Sequence, residues 1–169
     1  SDRIMITKMI DTASTAIYSV AYTVASVIQI LWTSIEASLS PWIYERLDVQ
    51  DKESVRKTSG QIVLVFAVFC LGCTLFAPEI MAILAPDSYK AGIYAIPAIA
   101  GGVFFMAVYS LYMRIELFYK KTTFATVAST IVAISNIILN YIFIKLFGFV
   151  AAGYTTMVCY ALLALLHYM

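Results

Sequence analysis

The sequence predicts an all-α protein, a polytopic bundle of transmembrane helices with about four complete spans and partial spans at both ends. Of its 169 residues, 62% are hydrophobic and 12% are charged, whereas soluble domains carry about 25% charged residues. The hydrophobic residues are grouped in runs of about 20, the length that an α-helix needs to cross a bilayer. No run alternates between polar and apolar residues, as the strands of a membrane barrel would.

The spans follow one another along the chain and are separated by segments of charged and turn-forming residues. We predict the tail of a span at Ser1–Ile10, complete spans at Ile17–Tyr44, Gln61–Leu84, Gly92–Tyr119 and Phe124–Phe147, and the start of another at Val150–Met169. The stretch Tyr44–Gly60 is expected to be the only long polar loop. Pro97 removes a backbone hydrogen bond in the early turns of its span, so a kink is expected there.

The distribution of Lys and Arg predicts how the bundle is oriented. One side, formed by the loops after the second and fourth spans, carries Arg46, Lys52, Arg56, Lys57, Arg114, Lys120 and Lys121. The other side carries Arg3, Lys8, Lys90 and Lys145. Because loops rich in Lys and Arg stay on the cytoplasmic side of a membrane, the first group is expected to be cytoplasmic.

The second predicted span (Ile17–Tyr44), which we label α2, has a stripe of polar side chains that we call the α2 polar seam. Its members are spaced three or four residues apart and are Ser19, Tyr22, Ser26, Gln29, Thr33, Glu36 and Ser40. This spacing places them on one face of a helix. The opposite face is expected to meet lipid and carries Val20, Val24, Val27, Leu31, Ile35 and Leu39. The seam should therefore face protein or water.

Two explanations remain open for the α2 polar seam. It could hold neighbouring helices together through hydrogen bonds, or it could form the wall of a water-filled cavity. A carboxylate near the centre of a membrane helix costs about 2.5–3.5 kcal/mol on insertion scales, which makes Glu36 the most informative member. Glu36 could also be paired, or could extend toward the membrane surface.

A second stripe lies on the fifth predicted span and consists of Ala125, Ser129, Ala133, Asn136 and Asn140. The three small residues predict close packing against another helix. A leucine at position 129 is therefore expected to destabilise the bundle. Asn136 and Asn140 are consistent either with hydrogen bonds between helices or with the wall of a cavity.

Charged residues gather at the end of the fourth predicted span. Arg114 could bind a phosphate at the membrane surface, or could simply mark the cytoplasmic boundary. Glu116 and Lys120 are four residues apart and are expected to pair along the helix.

Several classes of function lack the residues that they need. The only histidine is His167 and the cysteines lie in apolar runs, so we expect no catalytic triad and no metal site. No phosphate-binding glycine loop is present, and the net charge of +1 gives no reason to expect nucleic acid. We therefore predict that the protein is not an enzyme and uses no cofactor.

Several stretches, in order, resemble the polysaccharide flippases of the multidrug/oligosaccharidyl-lipid/polysaccharide exporter superfamily. The matching features are SDRIMI (1–6), AIYSVAYTVA (16–25), Pro41, FAPEIMAILAPDSYKAG (76–92), YKKTTF (119–124) and ISNIILNYIFIKLFGFVAAGYTT (134–156). The chain departs from the family pattern at Ala16 and Ala151, where glycine is usual. Together these stretches cover nearly the whole chain.

The resemblance implies that residues 1–169 are one transmembrane bundle from the C-terminal half of a protein with about a dozen helices. In such a protein two bundles enclose a central cavity and rock between inward-open and outward-open states. The implied substrate is an oligosaccharide carried on undecaprenyl pyrophosphate, moved across a bacterial inner membrane. Asp2 and Arg3 match a family Asp-Arg pair by position and become candidate site residues.

The candidate residues of the substrate path are therefore Asp2, Arg3, Gln29, Thr33, Glu36, Arg114, Asn136 and Asn140. The expected partners are the lipid-linked oligosaccharide, membrane lipids and the N-terminal half of the same protein, with a coupling cation left open. The alternatives are a drug/cation antiporter of the same superfamily, which would use Glu36 as its embedded carboxylate, and a membrane scaffold subunit that transports nothing. A glycan polymerase or ligase is disfavoured because the predicted loops on the extracytoplasmic side are short.

Overall fold

The computed structural model describes residues 2–120 and 122–168, and in that part of the chain every element is helical, as predicted. The helices are α1 (Asp2–Met9), α2 (Thr12–Asp48), α3 (Lys52–Leu75), α4 (Ala77–Leu84), a 3₁₀ segment (Asp87–Ala95), α5 (Ile96–Phe118), α6 (Thr122–Phe147) and α7 (Val150–Tyr168). Five helical stretches are long and apolar enough to cross a membrane: α2, α3, Asp87–Phe118, α6 and α7. Ser1, Lys121 and Met169, which belong to segments used in the predictions, lie outside the described residues.

The stretch predicted as a long polar loop is instead mostly helical. Helix α2 continues to Asp48 and α3 begins at Lys52. The reversal between them is made by Gln50, with a φ of 60°, and by Asp51, whose carboxylate accepts the backbone N–H of Ser54 at 3.1 Å. The prediction was wrong because hydropathy locates the apolar part of a helix, while capping and turn geometry decide where the helix ends.

Pro78 and Pro97 lie at helix starts, where a proline costs little, whereas Pro41 lies inside α2. The third predicted span is divided, since α3 ends at Leu75 and α4 begins after Phe76 with Pro78 in its first turn. Pro97 likewise lies in the first turn of α5, where a backbone N–H has no partner within the helix. Pro97 therefore starts α5 and does not interrupt it, and the 3₁₀ segment Asp87–Ala95 leads directly into this start.

Helices α5 and α7 pack closely because small residues line their contact. A Cβ added to Gly153 would lie 3.1 Å from the Cβ of Ala98 and 3.6 Å from the carbonyl oxygen of Ala95. Gly102 faces the backbone of Met157 in the same way. Because small side chains let backbones approach, this pair forms the centre of the bundle.

Helix α1 is attached to this centre through Ile6, which is fully buried with Tyr18 and Ala21 of α2. The attachment brings Asp2 and Arg3 next to α6 and α7. The outward faces of α3 and α6 carry large exposed apolar residues, among them Leu64, Val65, Val68, Ile131, Ile134 and Ile138. Such faces suit contact with lipid.

Candidate functional site

A cavity of about 800 Å³ opens between α1, α2, α5, α6 and α7. Its lining combines charged, amide, hydroxyl and aromatic side chains. The lining residues are Asp2, Arg3, Ile4, Tyr18, Tyr22, Tyr109, Ser129, Val132, Ala133, Asn136, Thr156, Cys159, Tyr160 and Leu163. Polar and aromatic groups that converge in a concave site are typical of ligand binding.

A hydrogen-bonded network on the cavity wall is centred on the Asp2 carboxylate. Its Oδ1 accepts Asn140 Nδ2 at 3.0 Å. Its Oδ2 accepts Thr156 Oγ1 at 3.0 Å and Tyr18 Oη at 3.2 Å. The network therefore joins α1 to α2, α6 and α7, of which the last three are long and apolar enough to span a membrane.

Asn136 and Asn140 extend this network along one face of α6. Asn136 Nδ2 donates to Thr156 Oγ1 at 3.1 Å, and Asn140 Nδ2 donates to Asn136 Oδ1 at 3.2 Å. Asn140 is fully buried, and its Oδ1 accepts the hydroxyl of Thr155. Of the two uses left open by the sequence, Asn140 serves hydrogen bonds between helices, while Asn136 does so and also lines the cavity.

Arg3 supplies the positive charge of the cavity lining. Its side chain is exposed, and its guanidinium lies 4.9 Å from the centroid of the Tyr22 ring. A guanidinium stacked on an aromatic ring in this way keeps its N–H donors free to bind an anionic group.

The α2 polar seam does not act as one surface. The hydroxyls of Ser26, Thr33 and Ser40 bond to carbonyl oxygens of their own helix. The face of α2 that was expected to meet lipid includes Ile35 and Leu39. For these two residues the prediction was wrong, because they pack in the core with α3 and α5. Heptad spacing finds a common face, but it does not say which neighbour that face meets.

Gln29 lies next to the large cavity and not in it. It lines a small pocket of about 40 Å³ that shares Tyr18, Tyr22 and Thr156 with the large cavity. Its amide nitrogen makes only a weak contact with Met106 Sδ at 3.9 Å. Thr33 is exposed on α2.

Glu36 and Arg114 form a separate pair between α2 and α5. Glu36 Oε1 accepts Arg114 Nε at 3.0 Å, and the Glu36 side chain is 14% exposed. The pair explains how α2 keeps a carboxylate inside its span, because each charge compensates the other. The structure thus brings Asp2, Arg3, Asn136 and Asn140 together, with Gln29 beside them, and places Glu36 and Arg114 elsewhere.

The sequence did not single out several cavity residues. Tyr18, Tyr109, Tyr160 and Thr156 line the cavity, and Thr155 supports Asn140. The adjacent threonines 155 and 156 in an apolar span were a usable signal, because paired hydroxyls are uncommon where every neighbour is apolar. The tyrosines gave no such signal, since tyrosine is also usual at membrane interfaces.

In its sequence the chain is similar to a probable flippase. Over 155 residues it is 26% identical to the probable low-salt glycan biosynthesis flippase Agl15 of Haloferax volcanii, an alignment covering 89% of this chain. The alignment covers 33% of that relative, so the chain spans about a third of its length. No family model matches the chain, and no solved structure matches it significantly. This similarity and the long apolar helices mark a multi-pass membrane protein.

Proposed function

We propose that this chain forms part of a membrane flippase that moves lipid-linked oligosaccharides by alternating access. The observation that carries the proposal is the cavity of about 800 Å³, with a network of Asp2, Asn136 and Thr156 on its wall. A buried network of this kind is costly in a membrane and is typical of a translocation path. The similarity to a probable glycan biosynthesis flippase supports the same class of substrate.

The cavity chemistry fits a glycan attached to a phosphorylated lipid. The lining includes the partly exposed tyrosines Tyr22, Tyr109 and Tyr160, whose rings can stack on the apolar faces of sugars while their hydroxyls donate hydrogen bonds. Asn136 and Thr156 can bond to sugar hydroxyls. Arg3 can bind a phosphate of the carrier, for which undecaprenyl pyrophosphate is the proposed lipid. Moving such a substrate makes and breaks no covalent bond, so the proposed protein is not an enzyme.

The other wall of the cavity is proposed to come from the N-terminal half of the same protein. The large cavity is open to its surroundings along α6, where Ser129 and Ala133 line it. The chain aligns with only 33% of its longer relative, so a second bundle has room in such a protein. Rocking of two bundles around a fixed site is the usual form of alternating access in transporters.

The test uses the full-length protein in proteoliposomes that contain a fluorescent lipid-linked oligosaccharide. Translocation is read as the fraction protected from a membrane-impermeant quencher. Asn136→Leu should lower the rate by ~10-fold or more. It removes the amide and leaves its hydrogen-bond partners unsatisfied, which costs about 1–3 kcal/mol. Ser135→Ala is the matched control, since Ser135 bonds only to the Ile131 carbonyl of its own helix among the described contacts.

The result that would overturn the proposal is Asn136→Leu protein with a wild-type rate and unchanged thermal stability. A drug/cation antiporter remains the second candidate, because the Asp2 carboxylate lines the cavity and carboxylate oxygens suit hard cations. An antiporter would drive dye efflux under a Na⁺ or proton gradient and would leave the glycan lipid unmoved. A scaffold subunit would do neither.

A further inference from the structure

A second cavity, of about 510 Å³, lies between the end of α2, the start of α3 and the end of α5. It shares no lining residue with the cavity described above. The lining residues are Leu47, Lys52, Val55, Arg56, Ser59, Gly60, Val63, Val108, Leu111, Tyr112, Ile115 and Tyr119. All three helix ends belong to one membrane surface, the surface that the Lys and Arg distribution predicts to be cytoplasmic.

The interior of this second cavity is apolar. Leu47, Val55 and Leu111 form its buried floor, and Val63 and Val108 extend its walls along α3 and α5 toward the membrane interior. The interior of such a cavity offers few hydrogen-bond partners to a sugar or a free nucleotide. It is suited to a hydrocarbon chain.

The mouth of the second cavity is cationic. Lys52 and Arg56 are the charged residues in its lining, and they lie four residues apart on one face of α3. Lys52 Nζ is 5.6 Å from the centroid of the Tyr119 ring. The neighbouring Asp51 is engaged elsewhere, since its carboxylate contacts Arg46 and the backbone of Ser54, and Glu53 does not line the cavity.

One polar atom inside this cavity has no partner within the described part of the chain. The Ser59 hydroxyl is buried and makes no hydrogen bond, three residues along α3 from Arg56. The next residue is Gly60, where an added Cβ would meet nothing within 4 Å, so the space beside this glycine is open. A buried hydroxyl without a partner calls for a ligand that supplies an acceptor.

We infer that this cavity binds an anionic phospholipid of the surrounding bilayer. The headgroup phosphate lies between Lys52 and Arg56, an ester oxygen accepts the Ser59 hydroxyl, and an acyl chain lies along Val63 and Val108. Basic pockets between membrane helices on the cytoplasmic side commonly hold such headgroups. Lipid binding at this cavity requires only that the chain is embedded in a membrane. It can therefore be tested independently of the proposed transport function.

The first test measures lipid retention by native mass spectrometry of the full-length protein, titrated with phosphatidylglycerol or phosphatidylcholine. The wild type should retain phosphatidylglycerol preferentially. Replacement of both Lys52 and Arg56 by Gln should weaken that retention by ~10-fold, because each basic group near anionic lipid contributes to the attraction. Lys57→Gln is the control, since Lys57 is exposed beside Arg56 and does not line the cavity.

The second test fills the cavity and leaves its charges in place. Gly60→Leu should abolish the retention of phosphatidylglycerol, while Gly72→Leu should not, because Gly72 is equally open on the same helix but lies outside the cavity. Equal retention of the two lipids by the wild type would overturn the inference. Retention that survives Gly60→Leu would also overturn it, since surface charge alone would then be holding the lipid.

Discussion

His167 Nδ1 lies 2.8 Å from Glu116 Oε1, and this contact joins the end of α7 to the end of α5. The His167 side chain is fully buried and that of Glu116 is 13% exposed, with the rings of Tyr109 and Phe124 packed against the imidazole. The sequence predicted a Glu116–Lys120 pair instead. That prediction was wrong because α5 ends at Phe118 and Lys120 has a φ of 57°, so the helical spacing of four no longer applies.

This contact predicts that His167→Leu destabilises the protein strongly. The substitution leaves the Glu116 carboxyl without its hydrogen-bond partner, and leaving a buried polar group unsatisfied in this way costs about 1–3 kcal/mol. Thermal unfolding in detergent measures the loss. The double variant His167→Leu/Glu116→Gln should recover part of the stability, because a neutral amide is less costly to bury. A His167→Leu protein as stable as the wild type would show that the contact contributes nothing.

The Glu36–Arg114 pair changes what a substitution of Glu36 is expected to do. The sequence predicts that Glu36→Ala impairs export while the protein still inserts, through loss of a cavity residue. The structure adds a second route, because Arg114 would lose its carboxylate partner. Since the Arg114 side chain is 39% exposed, solvent screening limits the coupling energy to about 0.5–1 kcal/mol.

A double-mutant cycle separates the two routes. If Glu36 and Arg114 affect transport only through their mutual ion pair, Glu36→Gln/Arg114→Gln should transport no worse than either single variant. We expect this outcome, because Glu36 lies apart from the residues that line the large cavity. A double variant whose transport rate is well below that of both single variants would indicate that Glu36 takes part in the substrate path.

Local sequence signals located the helices and part of the candidate site for identifiable reasons. A run of about 20 apolar residues has the length and composition of a membrane-spanning helix. The fold class therefore followed from composition. Asn136 and Asn140 were found because two amides on one face of an apolar helix need partners. Asp2 and Arg3 were found by resemblance to a family, and the structure places them beside those asparagines.

The partners of each polar residue could not be predicted, because they lie far away along the chain. Glu36 meets Arg114, 78 residues later, and Asp2 meets Asn140, 138 residues later. Periodicity shows that a residue belongs to a polar face but does not identify the helix opposite. Helix ends were missed for a different reason, since caps such as Asp51 depend on one side chain and its local backbone.

Ser129 is predicted to matter more for transport than for stability. The sequence placed Ala125, Ser129 and Ala133 on a close-packing face, and of these Ala125 is buried whereas Ala133 is exposed. Packing of α6 on α7 uses Ala128 and Val132 instead. Ser129 lines the large cavity and shares a hydrogen bond with Tyr109 at 3.1 Å.

A leucine at position 129 should therefore enter the cavity and lower translocation, while the lost hydrogen bond costs only about 1 kcal/mol. Ala128→Leu is the comparison, because it overpacks the helix contact and should cost about 1–3 kcal/mol. Transport rate and thermal stability are measured for both variants. If Ser129→Leu destabilises the protein more than Ala128→Leu does, Ser129 serves helix packing, as the sequence predicted.

Gly153 is predicted to be intolerant of a side chain. A Cβ at this position meets the Cβ of Ala98 at 3.1 Å, so Gly153→Val should force α5 and α7 apart at a cost of about 1–3 kcal/mol. Gly72→Ala is the control, because nothing lies within 4 Å of its added Cβ. That control should stabilise α3 by about 0.5–1 kcal/mol, since glycine is unfavourable inside a helix. Equal stability of the two variants would contradict the close α5–α7 contact.

Stability should fall in acid partly through the helix cap at Asp51. Hydrogen bonding from Ser54, and to a lesser degree the charge of Arg46, lowers the pKa of the Asp51 carboxyl below its ordinary value. A lowered folded-state pKa means that the ionised cap stabilises the fold above the unfolded pKa of about 3.9 and that this stabilisation disappears as the pH falls through the folded pKa. Asp11, which caps α2 through Ser14, should act in the same direction.

The measurement is the thermal stability of the wild type, Asp51→Asn and Asp51→Ala between pH 7 and pH 3. Asparagine still accepts the Ser54 N–H but cannot ionise, so Asp51→Asn should lose less stability on acidification than the wild type does. Asp51→Ala should be less stable than the wild type at neutral pH because it removes the cap altogether. Asp48→Asn, a change at an exposed position three residues earlier, controls for net charge. Parallel pH curves for the wild type and Asp51→Asn would mean that the Asp51 cap contributes nothing to acid sensitivity.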